Sequence, residues 1–272
     1  MSLGVVTTAE RSNPYVSELL QARKAETHPS LTLSELVGHL VVPEQVKEAD
    51  APHMLVIAGG AASGKSRLAK GMHETFANQG ITAAIISSDD YVRGDRGMRR
   101  TWEDEGKGPD EKYDFDYMRA VIRAICANRD PEKRVIAPKY DAQTGLALAS
   151  KRRRQIPPVD MLVVEGDMLG ERGTMPKALY PSGLLAADPQ LLYIHLSDEQ
   201  RLAYRLARDM EHRNGHGETP DVIAQNFEHR QLAQHLPYTL GYAATANVIV
   251  QAEHAAPNET QHYDMWRMHT AQ

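Results

Sequence analysis

Residues 54–66 read Met-Leu-Val-Ile-Ala-Gly-Gly-Ala-Ala-Ser-Gly-Lys-Ser, and this stretch decides the fold. Met54–Ala58 is an apolar run that suits a strand buried on both faces. Behind it comes Gly59-x-x-x-x-Gly64-Lys65-Ser66, the phosphate-cradling Walker A pattern. Gly59, Gly60 and Gly64 allow the backbone to turn its N–H groups inward with no Cβ in the way. Arg67–Ala77 continues as a helical pattern, so those N–H groups lie at a helix start, where an anion is favoured. A Gly/Ala-rich turn ending in Gly-Lys-Ser is the competing reading. The strand before and the helix after decide against it. Gly59, Gly60, Ala61, Ala62, Ser63, Gly64, Lys65, Ser66 and Arg67 are therefore the expected triphosphate-binding segment. Lys65 supplies a point charge for the outer phosphates, and the Ser66 hydroxyl is placed to ligate Mg²⁺.

Outward from the loop, strand and helix alternate. Strands are expected at Met54–Ala58, Ala83–Ser87, near Val135, Met161–Val164, Leu191–Leu196 and Val248–Val250. Helices are expected at Lys65–Asn78, Phe115–Asn128 and Asp198–His212. This pattern predicts an α/β chain with a doubly wound, mostly parallel sheet and helices on both faces. Residues 1–50 read as a helical lead-in packed on the core, with helices at Pro14–Ala25 and Leu33–Leu40, the second capped by Thr32 or Ser34. Pro43–Pro52 reads as a linker, and 51–272 as the nucleotide-binding domain.

Composition narrows the function. The 272 residues carry 31 Lys and Arg against 36 Asp and Glu, a net charge of −5, which argues against a general nucleic-acid coat. The single cysteine, Cys126, falls in an expected helix and reads as a buried small apolar residue; no intrachain disulfide framework can form, as suits a reducing cytosol. No secretory signal and no membrane-length apolar run is visible, so a cytoplasmic protein without a membrane partner is expected. Oligomeric state is left open.

Three further motifs fall at expected strand ends, where ligands gather in such sheets. Ser87-Ser88-Asp89-Asp90-Tyr91 puts two carboxylates after the second strand. Transfer of a phosphoryl group to a hydroxyl needs a carboxylate to take or orient the proton, and Asp89 is the candidate. Asp90 and Tyr91 are candidates to hold the acceptor or the metal. Met161–Gly166 ends in Glu165, a candidate for approach to Mg²⁺. Arg201, Arg205 and Arg208 recur on one helix face, followed by Arg213 and a glycine-containing loop. That pattern fits a lid closing over phosphates; a solvated, salt-bridged face is the alternative. Lys151–Arg154 is a basic run best read as a solvated loop. Trp102 lies in a charged stretch and is a candidate cover for the acceptor.

Taken in order, these motifs resemble the uridine kinase and phosphoribulokinase family of P-loop small-molecule kinases. Gly59–Ser66 resembles its GGSASGKS/T loop, and Ser88–Tyr91 its Asp-Ser-Phe/Tyr-Tyr. Tyr113–Asp116 loosely resembles its Asn-Phe/Trp-Asp-His-Pro-Asp. Pro138-Lys139-Tyr140-Asp141 resembles its Pro-x-Tyr-Asp, Val163–Gly166 its Val-Glu-Gly, and Arg201–Arg213 its arginine-rich lid. The likeness covers about residues 53–250. It implies a P-loop NTPase fold with a five-stranded parallel core and a mobile lid. It implies an ATP-dependent kinase using Mg²⁺, with a small hydroxyl compound as acceptor. By position it implies Lys65 and Ser66 at the triphosphate and metal, Asp89 as base, and Glu165 near Mg²⁺. Tyr140 and Arg201 fall on the acceptor side, with Arg205, Arg208 and Arg213 around the phosphates and Arg208 acting in catalysis. Two departures leave the acceptor open: no histidine follows Tyr140-Asp141 within Ala142–Leu146, and Val92 stands where a second aromatic is usual. An accessory NTPase with no small acceptor is the rival reading.

Overall fold

The computed structural model describes residues 30–141, 144–148, 152–167, 181, 183–212, 219–230, 239, 241–252 and 262–267. In chain order these form β1 (Ser30–Thr32), α1 (Leu33–Leu40), α2 (Pro43–Glu48), β2 (His53–Gly59), α3 (Lys65–Asn78) and β3 (Ala83–Ser87). A 3₁₀ turn (Ser88–Tyr91) leads to α4 (Arg96–Asp104), α5 (Pro109–Lys112) and α6 (Phe115–Ala127). Then come β4 (Val135–Pro138), β5 (Arg153–Ile156), β6 (Met161–Gly166), β7 (Gln190–His195), α7 (Asp198–His212) and α8 (Pro220–Arg230). The described chain closes with α9 (Gly241–Thr245), β8 (Val248–Ala252) and β9 (His262–Arg267).

The main sheet has the order β1-β9-β8-β7-β2-β6-β3. Five consecutive strands, β8-β7-β2-β6-β3, are all parallel. β9 and β1 extend the β8 side in antiparallel pairing. The strand carrying the loop, β2, sits between β6 and β7 and is covered on both faces. Met54, Val56 and Ala58 join one core with Met118, Ile122, Ile125 and Cys126 of α6. Leu55 and Ile57 point into the other, with Leu68, Met72 and Phe76 of α3 and Leu36, Val37 and Leu40 of α1. Two-residue alternation with both sides apolar is what a central parallel strand requires. Cys126 is fully buried in the first core, where burial pushes its thiol up to about 12. It is a packing residue with no reactive thiolate.

Three expectations change. Part of the presumed linker is helical: Pro43–Glu48 forms α2, with proline at its first turn. The basic run is in part a strand, because Arg153 and Arg154 belong to β5, paired antiparallel with β4. The segment before residue 50 also contributes more than helix, since β1 is hydrogen-bonded into the sheet edge and Leu31 lies in the second core. Thr32 caps α1 through a reciprocal box with Glu35. Leu33 leans on α3 at Gly71, where an added Cβ would meet Leu33 Cδ2. The expected helix at 14–25 lies outside the described residues.

Candidate active site

The strand register aligns the site. Ile57 and Ser87 both pair with Glu165, so β2, β6 and β3 reach their carboxyl ends on one level. The loop leaves β2 from Gly59, whose φ is 157°. A Cβ there would stand 2.8 Å from both Ile194 O and Ser63 Oγ, so the loop closes down on β7 only because this residue is glycine. Ala62 takes a left-handed φ of 63°, a conformation an L side chain enters at a cost. Gly64, φ 89°, is the N-cap of α3 and supplies no side chain to cap it, and no acid lies in the first turn. The first N–H groups of a 14-residue helix thus have no side-chain cap, above Lys65, Ser66 and Arg67. Ser66 and Arg67 are exposed, while Ser63 is buried with its hydroxyl unpartnered.

Carboxylates surround Lys65. Its Nζ donates to Gly60 O at 2.8 Å and is ion-paired with Asp167. Ser66 Oγ donates to Glu165 Oε1 at 3.2 Å. Glu165 is only 4% exposed, and burial pushes its carboxyl up to about 7 against the opposing pull of Lys65. Asp89 stays open to solvent, yet it stands deep enough among protein atoms that desolvation, then the Asp167 charge, hold its carboxyl above the usual range. Lys65 and Arg99 pull the other way. Among the described residues nothing hydrogen-bonds to the Asp89 carboxylate.

Comparisons with known proteins place the family. A family model described as the phosphoribulokinase / uridine kinase family matches residues 54–255. The chain belongs to that family. It is a P-loop small-molecule kinase, and nucleotide and small-molecule substrates follow from membership. A uridine kinase of Lactococcus lactis subsp. cremoris is 28% identical over 63% of this chain and 75% of its own. One of Brevibacillus brevis is 23% identical over 73% and 84%. A solved D-glycerate 3-kinase from Cryptococcus neoformans superposes with a TM-score of 0.59 at 14% identity, covering 86% of this chain and 99% of that one. That likeness is one of fold.

Within the kinase, the residues expected at the acceptor divide. Asp90 is buried, and its carboxylate is spent on the chain itself. It accepts from Arg154 at 2.6 Å, Tyr140 N at 2.8 Å and Ser87 N at 3.4 Å. Tyr91 is fully buried against Tyr117, ring centroids 5.7 Å apart, and its hydroxyl has no partner. Expected at the acceptor, both side chains are buried in this structure, Asp90 among donors of its own chain and Tyr91 against Tyr117. Tyr140 remains half-buried beside them, hung on Asp90 by its backbone. Arg201 also departs from expectation. It is 1% exposed, ion-paired with Asp198 and stacked on Phe227 of α8 at 5.3 Å, so it fastens α7 to α8 and is not open to an acceptor. Arg205 is buried 3.5 Å from Asp209. Arg208 is more exposed and donates to Asp209 at 2.9 Å. Neither a plain solvated face nor a free row of lid cations describes this helix. Arg213 lies outside the described residues.

Two charged residues near the site escaped the sequence reading. Asp167 follows Glu165-Gly166 directly, so a fourth strand-end acid was the available signal. Arg99, half-buried on α4, donates through NH1 to Gly94 O at 2.9 Å and Gly145 O at 3.0 Å, and its charge reaches Asp89. It lies in a polar stretch with no periodicity to mark it. Trp102 on the same helix packs over Gly94 and carries Lys107 Nζ 5.5 Å from its ring centre.

Among the described residues no cluster of three or more His, Cys, Asp or Glu is placed to cage a metal. Mg²⁺ in kinases takes one or two protein oxygens and completes its octahedron with phosphates and water. The Ser66 hydroxyl and the Glu165 carboxylate, in contact with each other, are donors of that kind. Among the described residues no helix is long and apolar enough to cross a membrane.

Proposed function

We propose that this kinase moves the γ-phosphoryl group of MgATP to a hydroxyl of a small metabolite, in the manner of a uridine kinase. A nucleoside or a sugar- or pantothenate-like alcohol is the acceptor class. One observation carries the reading. Among the described residues Asp89 is the one strand-end carboxylate that is open to solvent and accepts no hydrogen bond, and desolvation holds its carboxyl above the usual range.

The loop amides and Lys65 hold the β and γ phosphates. Arg67 contacts the nucleotide, Arg205 is held against Asp209 within the helix, and Arg208 and Arg213 neutralise charge that develops on the transferring group. Ser66 and Glu165 hold Mg²⁺, which when bound offsets charge on the phosphate oxygens. Asp89 takes the proton of the acceptor hydroxyl. That oxygen forms the new bond to the γ-phosphorus as the bond to the bridging oxygen breaks, leaving ADP. Burial of Glu165 and Lys65 keeps the local dielectric low, which strengthens each of these contacts. The uridine kinase relatives and the order of the motifs support the acceptor class. The absence of a histidine after Tyr140-Asp141 argues for testing beyond uridine.

The test is a panel of nucleosides, sugars and pantothenate, each assayed for acceptor-dependent ADP formation. One class should accelerate ADP release well above the rate in water. Hydrolysis that no compound accelerates would favour the accessory NTPase instead.

A further inference from the structure

Asp167 has no role in the mechanism above, yet it contacts the loop lysine. Its carboxylate is ion-paired with Lys65 Nζ, and its side chain remains 30% exposed. Its backbone carbonyl accepts from Thr239 Oγ1 at 2.6 Å, and Thr239 is 1% exposed. Residue 167 is thus tied down from a second part of the chain and does not simply trail off the end of β6. Lys65 itself is 7% exposed. An ammonium has three N–H donors. Gly60 O and Asp167 engage two of them, and the outer phosphates of a nucleotide call on the same group.

We propose that Asp167 is a positioning residue that competes with the nucleotide's phosphates for Lys65 and thereby limits how tightly this kinase holds nucleotide. Two effects act together. The carboxylate neutralises the cation that attracts the polyanion, and its own charge repels phosphate placed beside it. Both weaken ATP and ADP alike. Weak ground-state binding suits a kinase, since uniform tightening lowers KM without raising kcat and slows the departure of ADP. The proposal rests on the nucleotide role given to the loop.

Titration calorimetry with ADP, with and without Mg²⁺, on the full chain carries the test. Asp167→Asn keeps the size and removes the charge, and its Kd for ADP should fall about ten-fold. Asp167→Glu restores the charge and should return the Kd to within about two-fold of the original. The KM for ATP should fall together with kcat in the Asn variant, as slower ADP release predicts; a residue that merely supports the fold would raise KM. An unchanged or weakened ADP affinity in Asp167→Asn overturns the proposal. Failure of the unaltered protein to bind any nucleotide overturns instead the function proposed for the loop. A measurement on the unaltered protein stands beside the variants. With ¹⁵N-labelled lysine, the ammonium signal that Lys65→Met removes should be protected from solvent exchange before nucleotide is added. A signal exchanging as fast as those of surface lysines would also overturn the proposal.

Discussion

The outer and inner sides of the Ser88–Tyr91 turn carry adjacent carboxylates in opposite surroundings. On the outer side Asp89 is open to solvent, within reach of the Lys65 and Asp167 charges, and among the described residues no donor reaches its oxygens. On the inner side Asp90 is buried and accepts from a guanidinium and two backbone amides, joining β3 to the β4–β5 hairpin. The sequence writes the two identically, as Asp-Asp after a strand. A buried carboxylate engaged by three donors of its own chain belongs to the scaffold. One that is partly desolvated and left without donors is ready to take a proton.

The largest expected effect lies on the outer side. Asp89→Asn should lower phosphoryl transfer by about 10²–10⁴-fold while leaving ATP binding near normal, as general-base loss predicts. Full transfer activity in that variant would remove the distinction. On the inner side, Asp90→Ala leaves Arg154 without its partner and frees two buried amides. It should cost about 2–4 kcal/mol in denaturant unfolding, the half-exposed side of Arg154 keeping the cost below that of a fully buried pair. A smaller loss than that of a surface substitution would mean the hairpin is held elsewhere.

Next is pH. Glu165 titrates at about 7 in the fold and near 4.5 unfolded, so between those values the folded chain binds more protons. Stability should therefore fall as pH rises through that window, by about 3 kcal/mol. The raised Asp89 adds in the same direction. Unfolding of Mg²⁺-free protein at pH 5 and pH 8 measures the slope, and Glu165→Gln, which cannot titrate, should flatten it. The smallest effect belongs to Tyr91. Its hydroxyl is buried and unpaired, so Tyr91→Phe should leave kcat and KM unchanged and shift stability by less than about 1 kcal/mol, toward greater stability if at all. A rise in the acceptor KM would return Tyr91 to the acceptor site.

Legibility followed the range of the interactions. The loop and its flanking strand and helix read correctly, as did the five-stranded parallel core and the buried Cys126. α2 was missed because its proline start resembled linker chemistry, and β5 because a run of arginines is a poor strand signal. β9 has no strong alternation and is a strand because β8 and β1 pair with it, and β1, with three residues, is a strand because β9 lies beside it. Arginine spacing placed Arg201, Arg205 and Arg208 on one face, but nothing local told that the first two are packed inward against α8 and Asp209.

By itself the sequence determined the cradle, the alternation of strand and helix, and the three acids at strand ends. These depend on backbone freedom at glycine and on periods of two and of about 3.6 residues, which are properties of neighbours in the chain. The tertiary structure alone decided which acid is free and which is bound, and that Lys65 meets Asp167. Those outcomes depend on Ser66 meeting Glu165, Asp90 meeting Arg154 and Asp167 meeting Thr239, pairs far apart in the chain that only the closed sheet brings together.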